Sequence, residues 1–204
     1  MMGAPVMWAG SGELAHTART GETAIQRVVP GGLWAYFKDH PEDARVFDDA
    51  MVSKANAMIA ALLDATPQAT GILFDLPHGL AAAAPSERLA LHGGDFFNDR
   101  LPHADAYILS EVLHDWPDEE AAAIVRAVRA AAREGAHVLV LEAILPDEPG
   151  PHAAKMLVVI MLALTGGRER TRMEHEALMR AGGFRLERVV PTANPISVFV
   201  GVAD

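Results

Sequence analysis

The 204-residue sequence has no cysteine, which excludes disulfides, thiolate nucleophiles and cysteine-ligated zinc. Long apolar runs are also missing: the best candidate, Met156 to Leu164, falls well short of the roughly 18 residues that a membrane span requires. Met1 to Pro5 shows no basic start leading into an apolar stretch, so no secretory leader is read there. Positive charge is scarce, with 17 Lys and Arg against 27 Asp and Glu, a formal net charge of -10, and no basic cluster to offset it. Such a surface repels a phosphate backbone and removes nucleic acid from the candidate partners. These absences set the expectation of a soluble cytoplasmic protein without a membrane partner.

Half of the residues are hydrophobic and aromatics are few, at 6%. That composition suits one sizeable core in a helix-rich α/β chain. Residues 1–40 read as a helical and loop lead-in, with a short helix between Trp8 and Thr20, and residues 41–204 as an α/β domain. Pro41 is placed to start a helix, and Val46, Phe47, Ala50, Met51, Met58, Ile59, Leu62 and Leu63 continue it at helical spacing to near Pro67. Four short apolar runs follow as strands: Ile72 to Asp75, Leu89 to His92, Ala106 to Leu109 and Val138 to Leu141. The last is wholly apolar, as a central strand of a parallel sheet would be. Helices are expected over Asp118 to Glu134 and Thr171 to Ala181, the second stopped by Gly182 and Gly183, with a terminal hairpin from Phe184 to Val190 and Ile196 to Val202. Strands alternating with helices predict an open α/β sheet.

In such sheets ligands bind beyond the carboxyl ends of the strands. Asp75, Asp95, His114, Asp115 and Glu142 all stand at such ends. A carboxylate there can accept both hydroxyls of a ribose, or it can simply cap a helix or a turn. The segment Glu111 to Glu120, EVLHDWPDEE, offers His114 as a proton acceptor near neutral pH, oriented by a carboxylate on its other ring nitrogen. Equally, Asp115 or Asp118 caps the next helix and His114 is one of nine ordinary histidines. In Thr165 to Arg172, Thr171 and Glu174 have the spacing of a capping box, which leaves Glu169 free for another role.

Five strings, FDLPHG, GGDFF, EVLHDWPDEE, LEAILP and GGRERT, stand in an order that resembles the caffeate-type O-methyltransferases of plants and bacteria, and the likeness runs from about Trp8 to Asp204. The stretch DARVFDDAM is similar to the helix that precedes the cofactor fold in that family. The resemblance implies a Rossmann-like methyltransferase sheet, S-adenosylmethionine as cofactor, a small phenolic or polyketide acceptor and a possible homodimer. It implies His114 as general base flanked by Glu142 and Glu169, Asp75 on the cofactor ribose, and Asp95 with Phe96 around the adenine. Ser110 would lie near the cofactor, and Phe47, Met51 and Met161 would line the acceptor pocket. No metal is implied.

One family signature is missing. Before FDLP, members carry an apolar strand closed by a glycine-rich turn of the form D-x-G-G-G-x-G, which lets the backbone approach the cofactor. Here Leu63-Asp-Ala-Thr-Pro-Gln-Ala-Thr runs directly into Gly71. The neighbouring strands are expected to pair with each other or to stay partly open. The N-terminal dimerisation domain of the family is not found in the sequence either. Two alternatives follow: a relative that has lost cofactor binding, or a metal-dependent hydrolase built on the His114-Asp115 pair, which lacks the second histidine pair that such a site needs.

Overall fold

The computed structural model describes residues 4–81, 83–193 and 195–204. Helix α1 (Pro5–Gly12) and helix α2 (Leu14–Thr20) occupy the stretch read as one short helix. A 3-10 turn at Ala24–Arg27 leads to α3 (Gly32–Asp39) and to the long α4 (Pro41–Ala65). Proline is tolerated at the start of α4 because its missing N–H would be unpaired there, and Glu42 and Asp43 favour the positive end of the helix dipole.

Each expected strand is present: β1 (Gly71–Asp75), β2 (Leu89–Gly93), β3 (Ala106–Ser110), β4 (His137–Ala143), β5 (Phe184–Pro191) and β6 (Ile196–Ala203). Helix α5 (Asp118–Ala131) joins β3 to β4, and α6 (Ala153–Leu164) and α7 (Arg172–Ala181) separate β4 from the terminal hairpin. Helix α6 was not foreseen, because its uniformly apolar sequence carries no helical period. Among the described residues no helix is long and apolar enough to cross a membrane.

The strands form two sheets. β1 pairs with β2 in parallel, with Phe74 opposite His92. The other sheet has the order β3-β4-β6-β5, with β3 parallel to β4 and the remaining pairs antiparallel. β4 is internal, as its apolar run predicted. β1 and β3 do not pair, so of the two outcomes expected for the missing strand it is the open one that occurs. The difference shows in exposure: Ile72 on β1 and Ile108 on β3 are 48% and 40% exposed, whereas Val138 and Val140 on β4 are fully buried.

Two apolar clusters hold the chain. The larger joins Ile124, Val125 and Val128 of α5 to Val138 and Val140 of β4, with Leu178, Met179, Phe184 and Phe199. The smaller joins Val6, Met7, Ile25, Leu33 and Phe37 to Ala44, Ala163 and Leu164. The lead-in therefore packs on α4 and α6, across the boundary expected near residue 40.

Candidate active site

Three segments converge beyond the carboxyl ends of β3 and β4. Glu142 lies near the end of β4, His114 on a 3-10 turn (Leu113–Asp115) just after β3, and Glu169 on the segment leading into α7. Leaving β3, the backbone passes through Glu111 at φ 52°, a left-handed conformation uncommon outside glycine, and turns into the His114 segment. Glu142 fixes that turn from the neighbouring strand, because its Oε1 accepts from the N–H groups of Val112 at 3.1 Å and Leu113 at 2.8 Å.

His114 Nδ1 lies 2.9 Å from Glu169 Oε1 and 3.5 Å from Glu142 Oε2. Both glutamates are buried and His114 is 9% exposed. In the neutral ring with Nδ1–H donating to Glu169, Nε2 would be the acceptor; Asp115 Oδ1 lies 3.8 Å from Nε2. Burial opposes a positive charge on the ring, but the Glu169 hydrogen bond and the carboxylates of Glu142 and Asp115 outweigh it and raise the His114 pKa to about 9. Burial also lifts Glu142 to about 7 and Asp115 to about 6, partly countered by His114. The site therefore holds an imidazolium and partly protonated carboxyls at neutral pH, an assembly suited to moving protons. The ligand atoms of His114, Glu142 and Glu169 lie within 4.8 Å of one another, so their donor set could also hold a divalent cation.

The sequence reading missed the group that holds this turn in place. Arg170 is 1% exposed, and its guanidinium donates to the carbonyls of Leu113 at 2.8 Å and Trp116 at 2.9 Å, on either side of His114. Its Nε donates to Asp118 at 2.9 Å. Asp118 thus serves Arg170 instead of capping α5, whose N-cap position is Pro117 with no side-chain cap, and Asp115 does not cap it either. Gly167 lies so close to the turn that a Cβ there would overlap the His114 carbonyl oxygen. The capping box of Thr171 and Glu174 is formed as its spacing predicted, and it anchors the start of α7 behind Glu169. No local signal marked Arg170, which stands among the charged residues of GGRERT before a helix.

Of the other site residues, ring contacts link Phe96 and, through Trp34, Phe47 to Trp116 beside the His114 turn. Asp75 closes β1, and its Oδ1 accepts from the Leu76 N–H at 2.7 Å. Desolvation raises its pKa, helped by Asp48. Asp95 follows β2 and is engaged in its own turn, accepting from Phe97 N at 2.9 Å and Asn98 Nδ2 at 2.7 Å. Phe96 packs edge-on to Phe97 and Trp116, and Ser110 ends β3, partly buried. Phe47 meets Trp34 at 6.0 Å, and Trp34 stacks on Trp116 at 6.0 Å, so a run of rings connects α4 to the His114 turn. Trp34 and Trp116 were not singled out in the sequence. Met161 accepts a weak hydrogen bond from Thr165 at 3.7 Å, whereas Met51 is 39% exposed on α4.

Residues 54–185 match a family profile described as an O-methyltransferase domain. The chain is similar to the phenazine O-methyltransferase of Lysobacter antibioticus, with 35% identity over 219 residues that span 91% of this chain and 64% of that protein. It thus spans somewhat under two thirds of that relative's length. Since 91% of 204 residues is about 186, about 33 of the 219 aligned positions have no residue here. Among solved structures, one described as LaPhzM superposes with a TM-score of 0.90 at 33% identity, covering 100% of this chain and 71% of that one. Another, the neocarzinostatin-biosynthesis O-methyltransferase with S-adenosylhomocysteine and 1,4-dihydroxy-2-naphthoic acid, gives 0.86 at 29% identity, covering 98% and 70%.

Proposed function

Because this chain belongs to the O-methyltransferase family, we propose that His114 is the base that takes the proton from a hydroxyl on a small aromatic acceptor. The observation that carries this reading is the buried 2.9 Å bond from His114 Nδ1 to Glu169, which engages one ring nitrogen and leaves Nε2 as the atom that would take the proton. Glu169 and Glu142 stabilise the imidazolium that forms when the proton arrives. S-adenosylmethionine, when bound, supplies the electrophilic methyl group. The protein's remaining task is to hold the deprotonated oxygen in line and keep water away. The rings of Trp34, Trp116 and Phe47 supply flat apolar surface suited to an aromatic acceptor, and Met161 adds a polarisable one.

The residues present fit the cofactor in part. Asp75 stands at the end of β1 where a ribose would be gripped, with Phe96 beyond β2, but among the described residues no strand joins β1 to β3 to hold the rest of the molecule. That gap favours a second reading, a chain that keeps the proton-handling centre and has lost its own grip on cofactor. The test is methyl transfer from S-adenosylmethionine to a 1,4-dihydroxynaphthoate-type acceptor, comparing the wild type with His114→Gln. The first reading expects a loss of about 10²- to 10⁴-fold in kcat with an unchanged circular dichroism spectrum. Equal activity in the two proteins would remove His114 from the chemistry, and no turnover in a folded wild type would leave the second reading.

A further inference from the structure

Four observations meet at the break between the sheets. Among the described residues β1 is bonded to β2 alone and β3 to β4 alone, so each presents one unpaired edge. Ile72 and Ile108, exposed on those two strands, would be covered in a continuous α/β sheet, where both faces of internal strands are packed. The chain nevertheless superposes over its whole length on a solved relative with a TM-score of 0.90, so the two sheets are set as in a longer protein. The length difference is of a matching size: about 33 aligned positions of the Lysobacter antibioticus relative have no counterpart here, against roughly 30 residues or more for a whole strand-helix-strand unit.

We propose that the edges of β1 and β3 form a slot that receives one β-strand from a separate polypeptide, a segment of the strand-and-helix class that the longer relatives carry within their own chains. Main-chain hydrogen bonds to both edges supply affinity, and Ile72 and Ile108 supply an apolar contact for the side chains of the incoming strand. Each edge offers five residues, enough to pair with one short strand. A turn following that strand would emerge among Asp75, Ser110 and Phe96, at the side where the cofactor grip is incomplete. The part of this inference that concerns cofactor rests on the methyltransferase reading; the slot itself does not.

The probe is a synthetic peptide of the longest stretch of the Lysobacter antibioticus relative that has no counterpart in this chain, added to the full 204-residue protein. Hydrogen exchange is followed by mass spectrometry, with a control peptide carrying two prolines inside the strand, which cannot pair. The expected result is saturable binding of the native peptide that slows exchange at least tenfold in residues 71–75 and 106–110, with β5 unchanged and the proline peptide inactive. Absence of binding, equal binding of the proline peptide, or binding without protection of β1 and β3 would overturn the slot. S-adenosylhomocysteine binding that arises only with the peptide would extend the slot to the cofactor. Strand protection without that binding upholds the slot and counts against the methyltransferase reading instead.

Discussion

At the residue scale, the behaviour of His114 follows from a competition that can be altered one group at a time. Its ring sits at 9% exposure, which disfavours charge, yet Glu169 at 2.9 Å and Glu142 at 3.5 Å hold its pKa near 9. At pH 7 only about one molecule in a hundred then carries the free base, so kcat/KM should climb through neutral pH, reach half its limit near pH 9 and level off above it. Glu169→Gln keeps an oxygen acceptor but removes a charge, so the rising limb should move toward the ordinary histidine value by a unit or more. Because a raised folded pKa stabilises the protonated fold, the wild type should hold this contribution below pH 6.5 and lose it as pH rises through 9, the variant losing less. Histidine NMR titration, assigned with His114→Gln, reads the shift without any turnover, and an unchanged His114 midpoint in the Glu169 variant would sink the account. In the sequence, EVLHDWPDEE and GGRERT identified His114 and Glu169 as a pair through resemblance; spacing alone could not, since 55 residues separate them.

At the element scale, the site is a joint between two segments. The turn after β3 offers carbonyls at Leu113 and Trp116, and the strap before α7 brings Arg170 to both of them while Gly167 allows the close approach. Arg170→Met would leave the Trp116 carbonyl without its side-chain donor, leave the Leu113 carbonyl only the Trp116 N–H at 3.3 Å, and remove the charge that faces Asp118. At about 1–3 kcal/mol for an unpaired buried polar group, the expected loss is about 3 kcal/mol in urea unfolding, against under 1 kcal/mol for exposed Arg172→Met. Equal effects in the two variants would show that Arg170 does not hold the joint. This joint was illegible in the sequence for a physical reason: an arginine amid charged residues before a helix reads as solvated, and only tertiary burial distinguishes it. The capping box that begins α7 was legible, because Thr171 and Glu174 need nothing beyond local spacing. Helix α6 was not, because a uniformly apolar run has no periodic face.

At the scale of the whole molecule, the break in the sheet divides stability unevenly. The larger core ties α5 and α7 to β4, β5 and β6, whereas β1 and β2 form a two-stranded sheet, a unit that is marginal when it stands alone. α4 gives it little help, since Val46 and Met51 are among its exposed residues and Ala44 and Val52 are its buried apolar ones. Opening of α4 with β1 and β2 should thus cost less than opening β4, although all belong to one chain. Native-state hydrogen exchange at rising urea should show residues 71–75 and 89–93 exchanging through an opening at least 2 kcal/mol below that of Val138 and Val140, about thirtyfold in the open population. A single common opening energy across both sheets would mean that contacts outside the ladders couple them, and the unpaired edges would then have no energetic consequence. If the two energies separate, the region that should grip the cofactor is also the first to open. The proton-handling centre would persist after that opening, because Glu142 stands on β4, which stays closed, and His114, Glu169 and Arg170 are tied to it through the turn after β3 and the segment before α7.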